Sequence, residues 1–110
     1  MVARTAACRV AGAWAADGTP APAPVVSRCV LPRYPEALRA AGREGHVLVR
    51  LLVDSAGVPD PDSVRVMQST APEFARATRR AAPYIRFASA SAGDPRPVVV
   101  ELPFIFTLGP

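Results

Sequence analysis

Residues Pro97–Leu108 read PVVVELPFIFTL. The stretch is apolar at nearly every position, as a strand buried on one face is, yet Pro103 stands in its middle. Val98, Val100, Leu102, Phe104, Phe106 and Leu108 recur at period two and form the face expected to enter a core. Along a strand, backbone N–H and C=O groups alternate between the two lateral neighbours. Pro95, Pro97 and Pro103 are all odd-numbered, so all three turn their missing donor to the same side. A proline is tolerated within a strand where that side is an edge. The stretch is therefore expected to be an edge strand, blunted by its prolines against uncontrolled pairing. The donors of Val99, Glu101 and Ile105 stay available to one added strand of matching register. The plainer alternative is a solvated edge with no partner.

Upstream, Gly45–Asp54 places Val47, Val49, Leu51 and Val53 on one face and His46, Leu48, Arg50, Leu52 and Asp54 on the other. One wholly apolar face and one mixed face mark a central strand. Asp54-Ser55-Ala56-Gly57 reads as a hairpin turn with Gly57 at positive φ. A returning strand follows over Val58–Ser69, interrupted by Pro59 and Pro61, with Val64 and Val66 turned inward. Two helices flank this pair. Tyr34–Gly42 has Pro35 at the first helical position, Glu36 at the positive end and Gly42 just past the last turn. Thr70-Ala71-Pro72-Glu73 fits a capping box that opens the second helix. Phe74, Thr78, Ala81 and Ile85 share one face of it, Arg76, Arg79 and Arg80 another, and Pro83 ends it near Ala82. A polar loop over residues 88–96 leads to the final strand. A right-handed crossover then sets that strand beside the central one. The expected fold is α+β, ordered αββαβ, with a three-stranded antiparallel-type sheet in the order 2-1-3 and both helices on its apolar face.

A chain of 110 residues, half of them hydrophobic and 20% charged, fits one globular domain. The net charge of +4 is dispersed: residues 30–110 hold ten arginines against eight acids. That balance argues against a nucleic-acid surface, which needs clustered cations. Residues 1–30 are rich in Ala and Pro, with TPAPAPVV at 19–26, and read as an extended arm or linker before a compact domain at 31–110. Trp14 stands alone in the arm and reads as a docking side chain. Cys8 and Cys29 form no CxxC pattern. Two states fit them: a bridge tying the arm to the domain, or two unpaired thiols. No run approaches the ~20 apolar residues of a membrane span. The N-terminus lacks the continuous apolar region of a signal peptide, because Arg9 interrupts it. The chain is thus expected either to be exported by a signal outside this sequence or to be part of something longer.

Catalytic constellations are not expected. His46, the single histidine, has no partners in sequence for metal or general-base work. Asp60 and Asp62 resemble two carboxylates of a calcium loop, but the glycine and terminal glutamate of that loop are missing. Ser55, Ser63 and Ser69 lack a nucleophile motif. The pattern therefore implies no catalytic residue, metal site or cofactor. Arg76, Arg79, Arg80 and Arg86 read as a solvated basic face; the sharper reading is contact with peptidoglycan or an acidic partner.

From Leu31 to Leu108 the pieces resemble, in order, the C-terminal domain of TonB, the energy transducer of Gram-negative bacteria. Leu31-Pro32-Arg33-Tyr34-Pro35 stands where that family has Pro-x-Tyr-Pro. Ala37–Gly42 with Glu44-Gly45-His46-Val47 is similar to its helix end and GxV passage. Val49, Leu51, Val53-Asp54 and Gly57 match its strand and turn. Val66–Ser69, Phe74, Ala77 and the Arg86-Phe87 pair continue the match, and Val98-Val99-Val100 to Pro103-Phe104-Ile105-Phe106 is similar to its closing strand. Ile85 stands where an aromatic commonly precedes the Arg-aromatic pair. The resemblance implies a periplasmic, non-enzymatic domain that grips the TonB box of outer-membrane transporters by strand addition and couples inner-membrane energy to uptake of nutrients such as siderophores. The residues it implies for the partner are Val98, Val99, Val100, Glu101, Leu102, Pro103 and Ile105, with Leu31, Pro32, Arg33 and Tyr34 beside them. ExbB–ExbD would take part only with a membrane anchor upstream, and the Pro-rich stretch is too short to cross a periplasm. The alternative is a structural module whose same edge pairs with its own copy as a homodimer.

Overall fold

In the computed structural model, which describes residues 2–88 and 96–110, the organising strand is β4, Gly45–Val53. Its odd-numbered valines and Leu51 are fully enclosed, and its other face is half-buried. On one side β4 pairs antiparallel with β7, Val98–Gly109, in a register running from Gly45↔Phe106 to Val53↔Val98. On the other side it pairs antiparallel with β5, Arg65–Ser69. The alternation in the two long strands sets the core. Val100, Leu102, Phe104 and Phe106 come to the same face as Val47, Val49 and Leu51, and all are buried.

Two helices close that face. α1, Glu36–Ala40, contributes Leu38; α2, Pro72–Ala81, contributes Phe74, Thr78 and Ala81. A single 3-10 turn, Ala82–Tyr84, carries the chain past Pro83 and buries Ile85 beyond it. Gly42 takes φ 70° just after α1, where an L side chain would be strained. The capping box does not form. Ala71 is the N-cap of α2 and makes no side-chain cap bond. The Thr70 hydroxyl instead accepts the His46 N–H at 3.0 Å, binding the start of β4. A hydroxyl within reach of an unpaired strand donor is drawn to it, and Pro72 at the first turn removes one of the donors a cap would serve.

Thr78 is fully buried on α2, and its hydroxyl has no hydrogen-bond partner among the described residues. Leaving such a group unpaired costs about 1–3 kcal/mol. Thr78→Val keeps the shape without the hydroxyl, so it is expected to raise the urea midpoint by the equivalent of about 1 kcal/mol. A lower midpoint would mean that the hydroxyl is satisfied in solution.

The sequence-based expectation of a three-stranded sheet is corrected. Among the described residues the main sheet has five strands: order β1-β7-β4-β5, with a further strand, β2, also on β7. β1 is Val2–Ala6 and β2 is Gly12–Ala15, so the supposed linker is folded back onto the domain. A third arm strand, β3 (Val25–Arg28), pairs with β6 (Arg86–Ala88) in a separate two-stranded sheet. Alanine and glycine side chains give little periodic signal, whereas the pairing that holds these strands is made by the main chain. Cys8 and Cys29 are bonded, with Cα atoms 5.7 Å apart. The loop expected over residues 88–96, with Pro95, lies outside the described residues apart from its two ends.

Candidate functional site

The side of β7 away from β4 is the place where the sequence put a free edge. Ala11 N–H donates to the Glu101 carbonyl at 2.8 Å, so the odd-numbered residues of β7 turn their main-chain groups outward. Pro103 lies in that row, and its missing donor therefore faces away from the β4 ladder.

The expectation of an edge strand with the donors of Val99, Glu101 and Ile105 left available is corrected: the row is occupied, and β7 is paired on both sides. β1 runs antiparallel along it from Val2↔Gly109 to Ala6↔Ile105. β2 resumes from Gly12↔Glu101 to Ala15↔Val98. Between them residues 7–11 stand against only residues 102–104, with Pro103 at the centre. The arm therefore breaks step where β7 offers no donor. Cys8 sits in this detour with φ 73°, a conformation that residues other than glycine seldom take. The outer row of β7 is thus paired within the chain, by residues 2–6 and 12–15. A reading of β7 alone could not find this, because the occupant lies some ninety residues away in sequence.

Side chains fix the occupant on both faces. Ala13 is buried on the core side opposite Val100. Trp14, opposite Val99, lies on the helix-free face beneath the Arg50 guanidinium, 4.4 Å from its ring centre. Arg50 Nε also meets Glu101 Oε1 at 3.1 Å, so β2, β4 and β7 are laced together there. Cation–aromatic contacts of this kind contribute about 0.5–1 kcal/mol where exposed and more when desolvated. Trp14 was legible as a docking side chain, but its partner was not.

The remaining residues expected at the partner surface are elsewhere. Leu31, Pro32 and Arg33 form one wall of a groove whose other wall is Glu73, Arg76, Ala77 and Arg80 of α2. Leu31 is 53% exposed in it. Tyr34 joins the groove to β7: its ring meets Phe74 and Phe106 edge-on, each at 5.6 Å. Its hydroxyl donates to the Arg43 carbonyl. Burial, and then the charge of Glu44, raise the Tyr34 pKa above the ordinary phenol value, so the phenol stays a donor. Glu44 itself accepts the Leu108 N–H at 2.6 Å and closes the far end of β7. The other candidates have local tasks. Asp60 accepts from Asp62 N–H at 2.9 Å and starts a short 3-10 turn, while His46 is an exposed residue of β4. Arg86 donates to the carbonyls of Pro83 and Ile85, apart from the α2 arginines.

Fold and topology together define a class: a small α+β domain with two helices on one face of an antiparallel sheet built around a long last strand. The chain belongs to the family of Gram-negative bacterial TonB protein C-terminal domains, whose model matches residues 30–108. It is similar to the solution NMR structure of the Pseudomonas aeruginosa TonB C-terminal domain, with 28% identity and a TM-score of 0.65 over 80% of this chain and 87% of that one. No curated protein matches the sequence. Membership supports a TonB-type role in energy transduction, and the family implies interaction with outer-membrane TonB-dependent transporters. The arm strands β1 and β2 lie outside the matched span. No helix of the described residues is long and apolar enough to cross a membrane.

Proposed function

We propose that this chain is a periplasmic TonB-type domain that captures the TonB box of an outer-membrane transporter by strand addition along Val98–Ile105 of β7. Capture proceeds by exchange: the incoming strand replaces residues 2–15. Pull exerted through the chain then passes to the transporter and opens it for its nutrient. The observation that carries this reading is the arm itself. β7 already holds an antiparallel strand along its outer row, drawn from outside the family-matched span. An edge that holds one such strand has the donors, spacing and flatness to hold another. Leu31, Pro32, Arg33 and Tyr34 line a separate groove against α2, tied to β7 through the contact of Tyr34 with the buried Phe106, and receive the part of the partner that runs past the edge.

Amide shifts of the isotope-labelled chain with its Cys8–Cys29 bond reduced, followed while a TonB-box peptide is added, test the reading. Shifts are expected first at Val98–Ile105 and at residues 2–15, the two sides of the exchange. Shifts confined to β5, or none at millimolar peptide, contradict it. Shifts that depend on protein concentration without peptide would favour self-pairing through the same edge.

A further inference from the structure

The arm is not held uniformly. Cys8 stands in the detour between β1 and β2, and Cys29 immediately follows β3. Their bond closes a loop over residues 8–29. β2 lies wholly inside it, and β3, paired with β6, anchors its far end to the domain. β1 lies outside the loop, so the bond does not tie it to the domain. It can leave Ile105–Gly109 with the bond intact, by local opening. β2 differs, because leaving Val98–Glu101 frees little entropy while its ends stay tied. Trp14 beneath Arg50 adds to this hold. Cys29 is exposed, whereas Cys8 is partly buried.

From this arrangement we infer that the Cys8–Cys29 disulfide is a latch on the strand-docking edge. While oxidised, it keeps residues 12–15 on Val98–Glu101 and leaves only the β1 half exchangeable. Once reduced, it lets the whole 2–15 strand leave. The link to a partner rests on the docking function proposed above; the opening of the edge does not. The reductant is a dithiol. One of its thiolates attacks a sulfur of the pair, forms a mixed disulfide and expels the other cysteine as thiolate. Its second thiol then displaces the remaining cysteine. The protein gains two electrons and two protons, and the reductant leaves as a disulfide. Cys8 at φ 73° is then free to relax to an ordinary conformation.

Hydrogen exchange of the full chain by NMR, oxidised and then reduced with dithiothreitol, tests the latch. Reduction is expected to speed exchange at Val99 and Glu101 by about a hundredfold, the loss of a loop constraint of this length. Leu102 and Phe104, whose amides face β4, should keep their protection. Ile105 and Thr107 should exchange faster than Val99 even when oxidised. The double variant Cys8→Ser/Cys29→Ser should match the reduced protein. Unchanged protection at Val99 and Glu101 overturns the latch, and so does an equal loss at Leu102 and Phe104, which would mean general unfolding. A TonB-box peptide added to both forms separates the two proposals. Tighter binding to the reduced form supports the latch. Equal binding to both forms overturns it. An edge that opens on reduction yet binds no peptide upholds the latch and overturns the docking function.

Discussion

Phe106→Ala is expected to lower the free energy of unfolding by about 3–5 kcal/mol, the usual cost of emptying a buried phenylalanine site. Phe106 is fully buried and stacks on Phe74, with ring centres 4.4 Å apart and planes at 28°. Tyr34 meets both rings edge-on. Three elements therefore share one contact: β7, α2 and the segment before α1. Little can collapse into the space, because each neighbour is pinned by its own packing. Against a typical total of about 5–15 kcal/mol, the variant should be partly unfolded at moderate temperature. Ile105 is the control. It is the adjacent residue on β7, 40% exposed on the opposite face. Ile105→Ala should cost under about 1 kcal/mol. Urea unfolding followed by circular dichroism compares them, and equal losses would contradict the assigned facing of β7.

Gly57→Ala is expected to be nearly as damaging, for a different reason. Gly57 has φ 82°, and a Cβ placed there would lie 1.7 Å from the Phe87 carbonyl oxygen. Its own carbonyl accepts the Phe87 N–H at 3.0 Å, so the hairpin turn and β6 are locked face to face. Positive φ alone costs an L residue about 1–2 kcal/mol. Gly18 isolates that part, since it has φ 88° and nothing within 4 Å of its added Cβ. Gly18→Ala should therefore lose about 1–2 kcal/mol, and Gly57→Ala distinctly more, with its largest amide shifts at Phe87 and across β3. Similar losses at the two sites would mean that the turn stands clear of β6.

The parts of this fold that were legible in sequence are those where side chains carry the pattern. Val47, Val49, Leu51 and Val53 alternate with the mixed set His46, Leu48, Arg50 and Leu52, and the register of β4 against β7 follows from burying both wholly apolar faces. The parity of Pro103 told which way its missing donor faces, and Ala11 bonded to Glu101 agrees. What could not be read is what lies against that side. The residues of β1 and β2, VARTA and GAWA, are held mostly by main-chain bonds, and main-chain bonds leave no mark on composition. Thr70 shows the same limit at close range. Its spacing to Glu73 fits a cap, yet its hydroxyl is bound to His46, twenty-four residues away. The reading of β7 as a free edge strand is corrected, since β7 is paired on both sides; that its outer row has a resident, and that Trp14 and Arg50 hold it, required the tertiary structure.

Cross-strand contacts between labelled protein and unlabelled peptide test the outer edge of β7 as the docking site most directly. With the reduced chain and a TonB-box peptide, isotope-filtered spectra should show the peptide backbone against Val99, Glu101 and Ile105. The contacts of Trp14 with Arg50 should disappear in the same sample. Peptide contacts along Arg65–Ser69, with residues 2–15 still seated on β7, would contradict the account.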